Sequence, residues 1–389
     1  MGRFLAGLLV FPALTMGIAG ASVSGDEWNA PALSTQAPEP AAQFPRSLSD
    51  SAFAALVERL SEPSGYFDTD NLISNEDSYL HPISTLNKLG VSGGVYVGVG
   101  PDQNFSYIAA VRPHVAFIVD IRRDNLLEHL LFKAIFALSR NRADYLALLF
   151  GRSPPADTTG WGAKPVDSLL FHVAGGRADS AATTRIRSRV LVRIQQTGVK
   201  LSATDLQTIQ RFHATFIAAG PSLRFNSFGR APQPYYPDFR RLARELDRNG
   251  RQASFLAHEA DFRIVKELED RNLIVPVVGD FAGTRALAGI AEWMIASHDR
   301  LSAFYTSNVE QYLFRDGGFD TFAKTIGRFP VDAKSVFIRS CFICAGHPQA
   351  VTGYHAVQLV QPLSRFTELR AAGQLDSYRT LVTAGLVEP

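Results

Sequence analysis

Cysteine is nearly missing from this chain: Cys341 and Cys344 are the two in 389 residues. Two thiols cannot make a four-cysteine zinc site, and the nearby His347 and His355 match no standard ligand spacing. As one C-x-x-C they can pair in an oxidising compartment or stay as thiols in the cytosol. A thioredoxin-like redox site would need a helix after the motif, and Ala345-Gly346-His347-Pro348 is a poor helix start. The plain reading is two buried cysteines in a core turn. An excess of charge is missing too. The formal net charge is +2, which gives no argument for nucleic acid or an acidic membrane surface. No basic stretch interleaved with aromatics points to DNA or RNA. A zinc helix motif is absent, because Phe262 stands where His258-Glu259 would need a second histidine. What is present is a core: 46% apolar residues, 20% charged and 27 phenylalanines. The length fits two or three domains, or one elaborated α/β domain.

The N-terminus stands apart. Arg3 precedes an apolar run from Phe4 to Ala21 that ends in Ala19-Gly20-Ala21. A positive start, an apolar middle and a small-x-small end describe a secretory signal peptide, residues 1–21. Uncut, the run would serve as a membrane anchor. Residues 22–47 are rich in Ala, Pro and Ser and read as a disordered spacer. The expectation is an exported protein, periplasmic or secreted, whose domain runs over 48–389. No later run is long and apolar enough to span a bilayer.

Residues 94–125 organise that domain. An apolar run, Val95 to Val97, meets the turn Gly98-Val99-Gly100, followed by Asp102 and an amphipathic segment from Gln103 to Val111. A second apolar run, Val115 to Val119, ends on Asp120, 22 residues after the first glycine. A strand–glycine turn–helix–strand–acid unit binds the adenosine half of a cofactor, with the acid accepting from the ribose hydroxyls. The alternative is a glycine turn that only packs strand against helix. The dinucleotide fingerprint wants a third glycine where Gln103 stands. A pyrophosphate needs that bare helix N-terminus, and a cofactor without phosphate does not.

The rest of the chain supplies the frame. Residues 48–61 read as a helix after a Ser/Asp cap. Residues 65–79 are densely polar, with Asp68, Asp70, Asn75 and Glu76, and a loop this polar between ordered elements is either functional or a solvated loop with Asx turns. Leu126 to Phe150 reads as one long helix or two, with His129 packed in its apolar pattern. A mostly helical insertion occupies about 151–256, with one helix capped at Ser202 and another running to Asn249. Trp161, Tyr235 and Tyr236 are its candidates for a substrate wall. Strands resume at Ile274–Val278, Ser302–Tyr305, Ser335–Arg339 and Tyr354–Val360, mostly separated by helices, which argues for a parallel sheet with crossovers.

The order of these pieces resembles the class I S-adenosylmethionine-dependent methyltransferases over roughly residues 85–365, less the insertion. Gly98-Val99-Gly100 is similar to the family's first motif, and Asp120 to its ribose-binding acid. Val278-Gly279-Asp280-Phe281 resembles the later motif whose acid accepts from the adenine amino group while the next apolar residue packs on the ring. Thr306-Ser307-Asn308 stands where the family's fourth strand delivers its catalytic loop. The resemblance implies a Rossmann-like, doubly wound, mostly parallel α/β sheet with a large helical insertion. It implies S-adenosylmethionine as cofactor, held by Gly98, Gly100, Asp102, Asp120, Asp280 and Phe281, with Asn75 and Glu76 from residues 65–79, the segment that the resemblance makes a lid or clamp over the cofactor. Asn308, Glu310 and Tyr312 are the groups it places near the methyl, with Glu310 as base. The substrate would be a small or lipid-like molecule. The loop lacks the Asn-Pro-Pro-Tyr pattern of amino methyltransferases, so amide or base-amine methylation is not supported. The chain is also similar to a little-characterised family of bacterial proteins carrying YFDTDNLISNE, GVGPDQN and SNVEQYL segments, a likeness that implies no activity. S-adenosylmethionine is made in the cytoplasm, so export and this cofactor pull in opposite directions. A non-catalytic, exported nucleoside- or adenosine-binding protein of the same fold is the alternative.

Overall fold

Six apolar, β-branched runs line up as one sheet: β1 (Val95–Gly98), β2 (Val115–Asp120), β3 (Ile274–Val278), β4 (Leu301–Ser307), β5 (Val331–Cys341) and β6 (Val357–Pro362). Their order is β3-β2-β1-β4-β5-β6. The computed structural model describes residues 46–389 except 176–178, 230 and 345. The expected signal peptide, 1–21, and spacer residues up to 45 lie outside the described residues. β1 to β5 are mutually parallel, with Val97 beside Phe117 and Asp120 beside Val278. β6 runs antiparallel to β5. The architecture is therefore mixed α/β with a mostly parallel sheet. A parallel neighbour needs a crossover, usually a helix. The described residues of 342–356 hold no helix, and the chain turns back instead.

Every position of β1, β2 and β3 is buried, as expected for a sheet covered on both faces. One group of helices joins α2 (Pro82–Leu89), α3 (Gln103–Val111), α4 (Arg123–Leu138) and α10 (Glu259–Asp270) against β1, β2, β3, β4 and β6. The other joins α1 (Asp50–Leu60), α11 (Ala286–Ala296), α13 (Phe319–Ile326) and α14 (Leu363–Ala371), which meet the sheet at β2, β3, β5 and β6. α1 forms where its cap and stripe predict. Ser49 accepts from the Ala52 amide at 3.1 Å, and Phe53, Leu56, Val57 and Leu60 face inward at helical spacing.

The expected 126–150 helix is two: α4 and then α5 (Arg142–Leu149). The Asn141 side chain accepts from the Asp144 amide at 2.9 Å and restarts the helix. Apolar periodicity runs through both pieces, so the break leaves little trace in it. α4 is buried on nearly every side from Asn125 to Phe136, because the insertion forms a second layer over it. That layer holds α6 (Val166–Gly175), α7 (Ser180–Gln195), α8 (Ala203–Ala219) and α9 (Phe239–Arg244), and α7 and α8 rest on α4. α8 starts with the Ser202–Asp205 capping box. α9 stops five residues short of the expected Asn249. Asp247 takes the amides of Asn249 and Arg251, and Leu246 pairs with Gln252 in a turn. Two short helices, α12 (Val309–Asp316) and α15 (Tyr378–Leu381), complete the described elements. No helix among the described residues is long and apolar enough to cross a membrane.

Candidate functional site

The carboxyl ends of the parallel strands surround a cleft of about 550 Å³. It lies where the strand order reverses, between β1 and β4, with Gly100, Asp120, Asp280 and Ser307 on its walls. Open α/β sheets bind ligands at such a point. The structure brings Asn75, Glu76, Gly100, Asp120, Asp280, Phe281, Asn308 and Tyr312 to this cleft. It does not bring Gly98, Asp102 or Glu310 there.

Gly98 serves packing. A Cβ there would sit 2.0 Å from Asn104 Oδ1 and 2.8 Å from the Tyr96 ring. Asn104 is buried and holds the turn: its Nδ2 donates to the carbonyls of Val99, Gly100 and Pro101, and its Oδ1 accepts from the Tyr96 hydroxyl. Gly100 does need its freedom, with φ +86°. Its carbonyl also meets His129 Nε2 at 3.0 Å, so His129 is a packed histidine, as expected. Burial pushes His129 down to about 4. Asp102 faces a separate small hollow with Tyr79, Leu242 and Phe255, and burial pushes its carboxyl up to about 7.

Asp120 is buried and already engaged. Its Oδ1 takes the Arg122 amide and Nε at 2.9 and 3.0 Å, and its Oδ2 takes an Arg122 guanidinium nitrogen at 2.8 Å. Arg122 donates onward to the carbonyls of Thr69 and Asp70. The end of β2 thereby holds the polar 65–79 segment. That segment is not the solvated loop of the alternative, for Thr69, Ser74, Glu76, Asp77 and Ser78 are all buried, and Tyr66, Phe67, Thr69, Asn71, Asn75 and Glu76 line the cleft. Glu76 forms part of the cleft floor. It accepts from Ser307, Ser340 and Gln358, tying β4, β5 and β6 together. Burial raises its carboxyl above the usual range, and these donors oppose the rise.

Asp280 Oδ1 accepts from the Ala282 amide at 2.8 Å, a local turn bond. Beside it Glu62 accepts from the amides of Asp280, Arg285 and Ala286. The N-terminus of α11 is a natural anion site, and Glu62 fills it from within the chain. Phe281 lines the cleft but packs into the core, stacked on Phe322 with ring centres 5.7 Å apart.

The end of β4 departs furthest from expectation. Ser307 has φ +53°, an uncommon conformation for a residue other than glycine. Asn308 follows at the cleft. Glu310, expected as the base, is fully buried off the cleft and pairs with Arg339 at 2.6 Å. The pair is closed further by Thr306 on the acid and Gln361 on the guanidinium. A carboxylate so neutralised is a structural ion pair. Tyr312 lines the cleft, edge-on to Phe67 at 5.3 Å.

From the insertion, Tyr235 and Tyr236 reach the cleft, and Trp161 does not; it packs near His172 on a different surface. Sequence reading missed Arg122, placed Ser307 only within the expected catalytic loop, and weighed His355 only as a zinc ligand. His355 stacks on Tyr235 at 3.7 Å. The only signal for Arg122 was its place two residues beyond a strand-end acid. Cys341 and Cys344 are joined in a disulfide, which removes them as thiolate ligands. Phe342 and Ile343, between them, line the cleft. Among the described residues no group of three or more His, Cys, Asp or Glu is arranged to hold a metal ion.

One residue of the cleft lining carries a buried polar atom that is unanswered. Gln103 is buried, its Nε2 donates to the Tyr305 hydroxyl at 3.4 Å, and its Oε1 has no hydrogen-bond partner. Further in, all the side-chain nitrogen and oxygen atoms of Asn125 and Glu128 are buried and unpartnered.

Sheet and cleft define an α/β protein with a ligand-sized hollow at the carboxyl edge of its sheet. Residues 72–159 and 215–387 match the family described as "Domain of unknown function (DUF7790)", and the chain belongs to that family. No curated protein matches the chain.

Proposed function

We propose that the cleft binds an adenosine-bearing small molecule, with S-adenosylmethionine the first choice, in a Rossmann-like, doubly wound fold similar to the class I methyltransferases. The carrying observation is Gln103 Oε1. Gln103 lines the cleft where a phosphate-binding turn would have a bare glycine, and its Oε1, closed off from solvent, is an acceptor without a partner. An acceptor disfavours phosphate and receives an N–H. S-adenosylmethionine carries an ammonium and no phosphate. Two more features support the reading. Asp120 and Asp280 come from adjacent strands and share the cleft. Asp120 Oδ2 takes one bond from Arg122, and a carboxylate oxygen has capacity for a second, such as a ribose hydroxyl.

Bound there, S-adenosylmethionine would supply a methyl group for in-line transfer to a small acceptor. The chain's contribution is positioning and exclusion of water. Asn308 and Tyr312 flank the space, and Phe281 lies behind it. A second reading, a non-catalytic nucleoside-binding protein, is favoured by the state of the carboxylates. Asp120, Glu76, Asp280 and Asp316 line the cleft, and each already accepts hydrogen bonds within the chain. The Cys341–Cys344 disulfide supports an oxidising compartment.

Calorimetric titration tests the ligand. S-adenosylmethionine and adenosine should bind, and ATP more weakly than adenosine. A hydrogen bond to a charged group contributes about 1.5–3 kcal/mol. Gln103→Leu should therefore weaken S-adenosylmethionine by roughly tenfold to a hundredfold, at 1.4 kcal/mol per decade. No saturable binding of either ligand to folded protein would reject the reading. Formation of S-adenosylhomocysteine with a methyl acceptor, followed by mass spectrometry, separates the enzyme from the binder.

A further inference from the structure

The cleft is unevenly furnished. The sheet side presents glycine, Asp120, Asp280 and Ser307. Segments outside the sheet add rings to the lining from four places: Phe67 before α2, Tyr312 on α12, Phe225, Tyr235 and Tyr236 from the insertion, and His355 before β6. They touch in series. Phe225 meets Tyr236 at 4.8 Å, Tyr236 meets Tyr235 at 5.1 Å, and Tyr235 stacks on His355. Phe67 and Tyr312 form a second, edge-to-face pair. Phe67, Tyr235 and Tyr312 are half-buried and keep ring surface open to the cleft. Such surface rejects water and favours another flat, apolar body.

The charges decide the kind of body. Asp120 is neutralised by Arg122, Arg315 by Asp316, and Glu76 is surrounded by hydroxyl and amide donors. Arg315 already lies over the Tyr312 ring at 4.9 Å. The charged groups beside the rings, Arg315 and Asp316, pair with each other, so the ring-lined half offers neither an uncompensated anion nor an uncompensated cation and a charged guest there would lose hydration without return, whereas Asp280 on the sheet side has a backbone amide against its carboxylate. We propose that the ring-lined half of the cleft is a subsite for an uncharged, planar aromatic small molecule. In the enzyme reading this is the methyl acceptor, and to that extent the inference rests on the proposed function.

Titration of the full chain with four probes, with and without S-adenosylmethionine, tests it: 1-naphthol, 1-naphthoate, 1-naphthylmethylammonium and methyl glucoside. Naphthol should bind about tenfold or more tighter than either charged analogue, and the glucoside should not compete with it. Tyr235→Ala and Phe67→Ala should each weaken naphthol about fivefold or more. Phe171→Ala, an exposed ring away from the cleft, should leave it unchanged, and circular dichroism checks that all three variants fold. Equal binding of a charged analogue, competition by the glucoside, or indifference to both cleft variants overturns the subsite. Naphthol binding by protein that ignores S-adenosylmethionine supports the subsite and rejects the adenosine reading. S-adenosylmethionine binding without naphthol binding rejects the subsite alone.

Discussion

Glu128 is fully buried on α4, and neither of its carboxylate oxygens meets a donor. Burial raises its pKa well above the ordinary carboxylate range, the negative charge of Asp102 raises it further, and Arg122 offsets part of the rise. In the unfolded chain the same group titrates near its ordinary 4.5. The folded state therefore holds a proton that the unfolded chain releases. Stability from this group is complete below pH 4.5 and is lost as pH rises toward the folded value. Glu128→Gln removes the titration. The variant should gain on the native protein between pH 4 and pH 8, read as the difference of urea midpoints at each pH. Using the difference cancels groups that do not act on Glu128, such as the buried His213, whose titration has the opposite sign. An equal gap at both pH values would mean that Glu128 ionises normally in the fold. Nothing in the sequence marks this residue: a glutamate between Leu126-Leu127 and Leu130-Leu131 reads as the solvated side of an amphipathic helix. The fold buries it and brings the charges of Asp102, Arg122, Asp120 and Asp70 to bear on it.

Among the elements, the four-residue loop closed by Cys341–Cys344 links the end of β5 to the cleft wall through Phe342 and Ile343. Cross-linking so short a loop is worth about 2 kcal/mol on the chain-entropy account. Cys341→Ser with Cys344→Ser should lower the melting temperature, and the native protein in dithiothreitol should fall to match. The double variant should not respond to dithiothreitol. A native melt unaffected by reductant would show that the two are thiols in the isolated protein. Element by element, legibility followed local signals. Ser49 and Ser202 announced their helices, because a cap is a contact within one turn. The break between α4 and α5 went unseen, because Asn141 caps inside a continuous apolar pattern. The false extension of α9 has the same origin: Asp247 captures backbone amides that a helix would have used.

For the whole molecule, the arrangement of α4 carries a consequence. It lies between the sheet side, at β2, β3 and α10, and the insertion, at α7 and α8. The family match omits residues 160–214, which hold α6, α7 and most of α8. Yet Ile186, Val190, Ile194, Ile209 and Phe212 are buried there. Elements that share a buried face unfold together. Hydrogen exchange should protect the amides of Val190 and Ile194 as strongly as those of Leu130 and Leu131, with one thermal transition. Early exchange of α7 ahead of α4 would show the insertion to be a separate unit.

By itself the sequence determined the alternation of strand and helix, the glycine turn with its strand-end acid, and the position of the cleft at the carboxyl edge. These follow from periodicity, caps and spacing, all of them properties of neighbouring residues. It could not determine what each polar group would meet. Asp120 pairs with Arg122, Glu310 with Arg339 and Glu76 with three strands, and Asn104 fills the space at Gly98. Several of these partners stand far away along the chain, 264 residues in the case of Glu76 and Ser340. A buried charge settles on whichever donor the fold delivers to it, and that delivery is decided by tertiary packing alone.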